Sequence, residues 1–350
     1  MRALYFSLIA AFAATVALVF LLRPVARSLD FVDRPGGRKQ HSGEVPVIGG
    51  LAMFIGLVLG LSVLPEGARP PPDYAAMAFT FMCLGLLDDR LNLHSTFRLS
   101  VQLGVVLVMV WISDLGVRYV GAPFGVGTVI FEPWVSLIVT VMLVVGAVNA
   151  LNMIDGIDGL AGSVGLVSLM AVAAVGFYGS NAIVLGVATT LGATVAGFLV
   201  FNFPLGFNQL IRIFMGDAGS MLIGFSLAWL MVVLSQDPTT PVAPVTLLWF
   251  SAVPIFDMVS TSVGRLRRGK SPMKADNTHL HHKIMQKGYT SRETLAILLF
   301  LALLWVAVGL SLELIEQVPE WLSLVGFVVA GFVTLSFSKR LPRRIPARID

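Results

Sequence analysis

PWVSLIVTVMLVVGAVNALNMIDGIDG, residues 133–159, is the stretch on which the fold turns. No charged residue occurs from Pro133 to Ala150, and a run of that kind approaches the roughly 20 apolar residues a helix needs to cross a bilayer. The character then changes within one turn. Asn149, Asn152, Asp155 and Asp158 follow at three-residue intervals, with Gly156 and Gly159 between and after the acids. Three-residue spacing places side chains along one helical stripe. Two carboxylates and two amides facing one way suit a hydrated divalent cation or a hydroxyl-rich sugar, and the glycines let the backbone turn or approach a ligand closely. An apolar span that ends in acids describes a membrane body with chemistry at its boundary.

The rest of the chain repeats the pattern. Of 350 residues, 56% are hydrophobic and 13% charged, too apolar for a soluble domain of this length. Candidate spans run roughly 3–22, 47–64, 74–87, 97–113, 133–150, 159–178, 181–201, 217–235, 242–264, 293–313 and 319–337. The expectation is an all-α, polytopic integral membrane protein of about eleven transmembrane helices, forming a single membrane domain over 1–350. The stretch between 113 and 133, rich in Gly and Pro, reads as a loop. The longest hydrophilic segment, 265–292, is too short for a separate domain and reads as a cytoplasmic loop. The first apolar run has only Arg2 before it and Arg23 and Arg27 after it, the reverse of a secretory leader, so it is expected to stay as an anchor.

Charge sets the expected orientation. With the N-terminus outside and the C-terminus cytoplasmic, 21 of the 24 Lys and Arg residues fall on the cytoplasmic side, leaving Arg2, Arg69 and Arg118 outside. The net charge of +4 is thus a topology signal, and nucleic acid is excluded as a partner. Cys83 lies alone within an apolar run and reads as a small buried hydrophobe.

Under that topology the ionisable groups collect at one boundary. Asp88 and Asp89 end the third span, Asp155 and Asp158 follow the fifth, and Asp217 opens the eighth; Lys39, His41, His279, His281 and His282 share their side. One acid at a helix end is an ordinary cap, but five on one face call for another reason. In Met215-Gly216-Asp217-Ala218-Gly219-Ser220 the backbone N–H groups open a helix, a setting that favours phosphate, and Asp217 could carry Mg2+ to the same phosphate. The histidines of Thr278-His279-Leu280-His281-His282 could be zinc ligands, phosphate contacts or plain loop residues. An acid-rich face with few soft ligands suits Mg2+ or Mn2+ better than zinc. Arg265, Arg267, Arg268, Lys270, Lys274, Lys283 and Lys287 give that loop a positive field for an anionic substrate. Asp257, inside the ninth span, is either functional or bonded to a neighbouring helix.

Taken in order, these motifs resemble those of the polyprenyl-phosphate N-acetylhexosamine-1-phosphate transferases, within glycosyltransferase family 4, and among them the bacterial enzymes that use undecaprenyl phosphate and N-acetylglucosamine. The likeness covers nearly the whole chain. Its marks are Lys39-x-His41 with Pro46 and Gly49-Gly50, Asp88-Asp89-Arg90, Asn149 to Gly159, Met215 to Ser220, and Ser271-Pro272 leading to His279-x-His281-His282. The resemblance implies attack by undecaprenyl phosphate on the β-phosphorus of a UDP-N-acetylhexosamine, UMP release, and a lipid-linked diphosphosugar that starts a surface polysaccharide such as O-antigen. It also implies Mg2+ or Mn2+, an active site facing the cytoplasm at the inner membrane, and these roles. Asp217 would be the principal metal ligand, with Asp88 and Asp89 in catalysis or acceptor positioning. Asn152, Asp155 and Asp158 would shape the nucleotide and metal site. His279, His281 and His282 would meet the diphosphate, and Lys39 with His41 the acceptor or product phosphate. Two departures stand out: Asn92 occupies the place of the last acid in Asp-Asp-x-x-Asp, and Asn277 the place where N-acetylglucosamine users carry Arg. An Asn cannot supply the charge or bidentate donors of Arg, so another UDP-N-acetylhexosamine donor is the nearest alternative. The muramoyl-pentapeptide transferases share the chemistry but differ in the His loop. An ion-coupled transporter would place its acids near the midplane between inverted repeats, and no repeat is visible. The sequence permits a homo-oligomer without specifying one.

Overall fold

The computed structural model describes residues 2–34, 43–204, 211–271, 278–314 and 318–344. Lys39, His41 and Asn277 lie outside these residues. The helices among them, in chain order, are α1 (Arg2–Ser28), α2 (Gly49–Val63), α3 (Pro72–Leu91), α4 (Ser95–Trp111), α5 (Pro133–Ile154), α6 (Leu160–Tyr178), α7 (Ala182–Asn202), α8 (Gly216–Ser235), α9 (Pro244–Phe250), α10 (Ala252–Leu266), α11 (Leu280–Met285), α12 (Ser291–Leu314) and α13 (Glu320–Arg340). The protein is an all-α, multi-pass membrane protein. Among the described residues seven helices (α1, α5, α6, α7, α8, α12, α13) are long and apolar enough to cross a bilayer, and the bent pair α9–α10 makes an eighth. Helices α2 and α4 are apolar but shorter, at 15 and 17 residues. Two features depart from expectation. A two-stranded antiparallel ribbon, β1 (Val32–Asp33) and β2 (Val45–Pro46), precedes α2, and the run 242–264 is broken.

The break has a local cause. Pro254 has no N–H to give the Phe250 carbonyl four residues back, and Ser168 Oγ of α6 donates to that carbonyl instead, at 2.5 Å. The two pieces meet at 82°, which turns α10 away from the line of α9.

Helix α8 is the axis of the fold. In its span window 89% of residues are buried inside the protein, so it is apolar all round rather than on one stripe. Helices α2, α3, α5, α6 and α7 surround it. Small residues and hydroxyls let the outer helices close without a hydrophobic drive between them. Ser7 Oγ of α1 lies 2.8 Å from both Gly60 O and Thr190 Oγ1, joining α1, α2 and α7. The apolar side chains left exposed on α1 and α13, among them Phe6, Ile9, Val328 and Phe332, face outward as a lipid-facing surface requires.

Candidate active site

Two glycines bring the start of α8 against its neighbours. A Cβ on Gly85 of α3 would lie 2.2 Å from Ala218 N, and one on Gly50 of α2 would lie 2.3 Å from Gly219 N. Both helices therefore touch the α8 backbone itself. The first N–H groups of α2 are satisfied by the segment before α8: Gly49 N donates to Phe214 O and Gly50 N to Met215 O, each at 3.0 Å. The last turn of α3 is thereby fixed beside Asp217.

The acids of α3 divide their work. Asp89 accepts from the N–H groups of Asp217 (2.9 Å) and Ala218 (3.3 Å), so it caps α8. The α8 N-terminus, read in the sequence as open to phosphate, holds a carboxylate of the chain itself. A side chain 128 residues away supplies the anion that the helix end favours. Asp88 is 5% exposed and accepts from Leu93 N at 2.8 Å and from Arg98 Nη1. The same Arg98 nitrogen is 3.6 Å from Asp217 Oδ2, while Asn152 Nδ2 of α5 donates to Asp217 Oδ1 at 2.7 Å and to Ser220 Oγ at 3.1 Å. At about 4 Å and an effective dielectric near 20, two carboxylates repel by about 4 kcal/mol; Arg98 stands where it offsets that term. Asn92 takes the left-handed conformation that ends α3, with φ +48°, which an Asn or Asp adopts more readily than other side chains.

The α5 stripe stops sooner than its spacing suggests. Asn149 and Asn152 are helical, but α5 ends at Ile154, and Asp155 and Asp158 belong to the turn that follows. Gly159 closes the turn with φ +76°. Asn202, the last residue of α7, holds it: its Oδ1 accepts from Gly159 N (2.7 Å) and its Nδ2 donates to Ile213 O (2.9 Å). Asp158 pairs with Arg212 at 2.5 Å. Asp155 lies in the turn within reach of solvent, where surrounding protein displaces part of its water and Asp89 and Asp158 add negative charge. Its pKa is pushed up to about 7.

The histidine segment meets this turn. A Cβ on Gly156 would lie 2.1 Å from His281 Nε2, so the bare α carbon lets the ring approach. His281 is 2% exposed, lies against His279 and His282 at ring separations of 5.8 and 4.2 Å, and is held neutral. Burial, helped by the nearby His282, pushes its pKa down to about 3. His279 Nδ1 lies 2.8 Å from Asp257 Oδ2 and its Nε2 lies 3.3 Å from Arg265 Nη2. His282 is half-buried beside them.

The model of the family described as "Glycosyl transferase family 4" matches residues 73–235. Full-length relatives extend the match. The undecaprenyl-phosphate alpha-N-acetylglucosaminyl 1-phosphate transferase of Escherichia coli (strain K12) is 33% identical over 97% of this chain and 94% of its own. Those of Salmonella typhi (34%; 97% and 94%) and Yersinia pestis (35%; 92% and 88%) are similar. The chain belongs to glycosyl transferase family 4. The family-matched region of this transferase holds Asp88, Asp89, Asp155, Asp158 and Asp217, and the His segment with Asp257, beyond residue 235, joins them through the Gly156–His281 contact.

Several residues of this family 4 chain gained a place only in three dimensions. Arg98 and Arg212 carried topology information in the sequence, yet each pairs with a site carboxylate. Asn202 sits in an apolar helix end without a motif, and Gln102 accepts from Asn149 at 2.8 Å. Position alone hinted at one of them: Arg98 follows the Asp88-Asp89 pair by about one loop.

Proposed function

We propose that this protein transfers N-acetylglucosamine 1-phosphate from UDP-N-acetylglucosamine to undecaprenyl phosphate, releasing UMP and leaving the lipid-linked diphosphosugar. The observation that carries the reading is the junction of Asp88, Asp89, Asn152 and Asp217 with Arg98 at one end of α8. Relatives named for this reaction match over nearly the full chain. An apolar groove of about 360 Å3, lined by Met142, Ala150, Leu151, Met231, Leu248 and Met258 among others, runs up to the turn of α5 that bears Asn152. A polyprenyl chain needs such a surface. We count α2, α3 and α4 as crossings too, for eleven spans, and read the N-terminus as outside, the C-terminus as cytoplasmic and the site as facing the cytoplasm at the inner membrane from the 21 of 24 basic residues that this places inside.

The donor set fits Mg2+ or Mn2+. Among the described residues no three His, Cys, Asp or Glu side chains form a ready cage, and Mg2+ is commonly held by one or two carboxylates with water and substrate phosphates completing its shell. Asp217, with Asp88 beside it, would hold the ion; when bound it would supply charge that neutralises the phosphoryl oxygens. The remaining work falls to the chain. Asn152 orients the Asp217 carboxylate, and Asp89 fixes the backbone beneath it. Arg98 and the basic His loop counter the charge of two anionic reactants during an in-line displacement. A lipid phosphate is an ionised nucleophile near neutral pH, so Asp88 serves in positioning without needing to remove a proton. Lys39 and His41 would reach the acceptor phosphate.

The test is to incubate detergent-solubilised protein with undecaprenyl phosphate, Mg2+ and a panel of UDP-sugars. UMP release with UDP-N-acetylglucosamine is expected, and no UMP from any donor ends the proposal. Asp217→Asn is expected to abolish transfer in folded protein; undiminished activity removes Asp217 as the metal ligand.

A further inference from the structure

Asp257 lies inside a span, 1% exposed, and is not one of the five carboxylates of the site. Its two oxygens are both used. Oδ2 accepts from His279 Nδ1 at 2.8 Å, and Oδ1 accepts from the backbone N–H of Leu280 at 2.7 Å, the first residue of α11. The far ring nitrogen of His279 lies 3.3 Å from Arg265 Nη2, and Arg265 is itself 3% exposed. A carboxylate has no proton to give and a guanidinium no lone pair to offer. The proton of His279 is therefore on Nδ1, toward Asp257, and Nε2 presents its lone pair to Arg265. Carboxylate, imidazole and guanidinium form one buried chain in which each group orients the next.

That chain gives His279 a different task from contact with a diphosphate, since both of its nitrogens are engaged within the protein and the residue is 7% exposed. It also ties the start of α11 to α10, and α11 carries His281 against Gly156 of the acidic turn. The 82° bend before α10 is what directs Asp257 to this position.

We propose that Asp257 is a positioning residue for the transfer reaction: through His279 it sets the tautomer that receives Arg265, and through Leu280 it sets the placement of the histidine segment. The proposal rests on the functional reading above. Carboxylates that orient histidines at metal sites are worth about 10–100-fold in affinity or activity, and a loss on that scale is expected for a carboxylate that places the histidine segment here. Asp257→Asn keeps an oxygen for Leu280 N–H but loses the charge that holds the His279 proton.

The experiment compares Asp257→Asn, His279→Gln and the double variant, each purified folded in detergent, for UMP release across UDP-N-acetylglucosamine concentrations. Asp257→Asn is expected to lower kcat/KM by about 10–100-fold, and the double variant to be no worse than the poorer single one. Wild-type kinetics in folded Asp257→Asn overturn the proposal, as does full multiplication of the two single effects. A tautomer measurement covers the case in which Asp257→Asn does not fold. In wild-type protein with 15N-labelled histidine, the signal lost in His279→Gln should report a protonated Nδ1 and an unprotonated Nε2; the opposite tautomer overturns the proposal. Wild-type protein that releases no UMP would refute the transferase reading instead, and the tautomer result would still stand on its own.

Discussion

Replacing Gly216 by Ala should damage the site through one methyl group. Gly216 has φ +70°, where an L side chain costs about 1–2 kcal/mol. Its Cβ would also lie 2.4 Å from Asp89 Oδ2 and 2.6 Å from Val47 Cγ1. Val47 precedes α2, which is bonded to the segment before α8, so the carboxylate is the side free to yield. Moving it loosens the cap on Asp217 N and Ala218 N, worth about 0.5–2 kcal/mol. The expected loss of stability is about 1.5–4 kcal/mol. Asp217 would shift with its backbone, and a misplacement near 1 Å costs roughly 100-fold in rate. Thermal unfolding in detergent and UMP release measure the two effects. Gly104→Ala is the control, because a Cβ there meets nothing within 4 Å. A Gly216→Ala protein with the melting temperature and turnover of the wild type would refute the reasoning that Asp89 is seated by this glycine.

Gly156→Ala should press on the His281 ring and separate the acidic turn from the histidine segment, lowering kcat/KM by roughly 10–100-fold while the helices stay folded; unchanged kinetics would show that the contact is not used. Asp155 gives a pH prediction. Its folded pKa of about 7 is above the usual carboxylate value, so the folded state holds the proton more tightly and the associated stability is greatest below about pH 4. It is lost as pH rises to about 7. The melting temperature of the metal-free protein should fall across that window more steeply than that of Asp155→Asn, and parallel curves would contradict the shift.

The residues that announced themselves did so through local rules. Apolar runs located α1, α5, α6, α7, α8, α12 and α13, because each must satisfy its own backbone and match the bilayer. The glycines at 156 and 159 marked a turn and a close approach that the structure contains. Spacing misled where a helix stopped: three-residue intervals put Asp155 and Asp158 on a stripe, but α5 ends at Ile154. The 82° bend between α9 and α10 is not legible from Pro254 alone, because the freed Phe250 carbonyl is held by Ser168 of another helix.

By itself the sequence determined a membrane-embedded helical chain with its acids and histidines at helix ends, since transfer of charge into hydrocarbon is costly wherever the chain folds. Tertiary structure alone decided who pairs with whom. Asp89 caps α8, Arg98 bridges Asp88 and Asp217, and Asp257 engages His279. Those choices depend on backbones meeting at Gly50 and Gly85 and on a helix bent at Ser251. A hydrogen bond is decided over about 3 Å, and no pattern along a chain fixes distances that small between residues up to 128 positions apart.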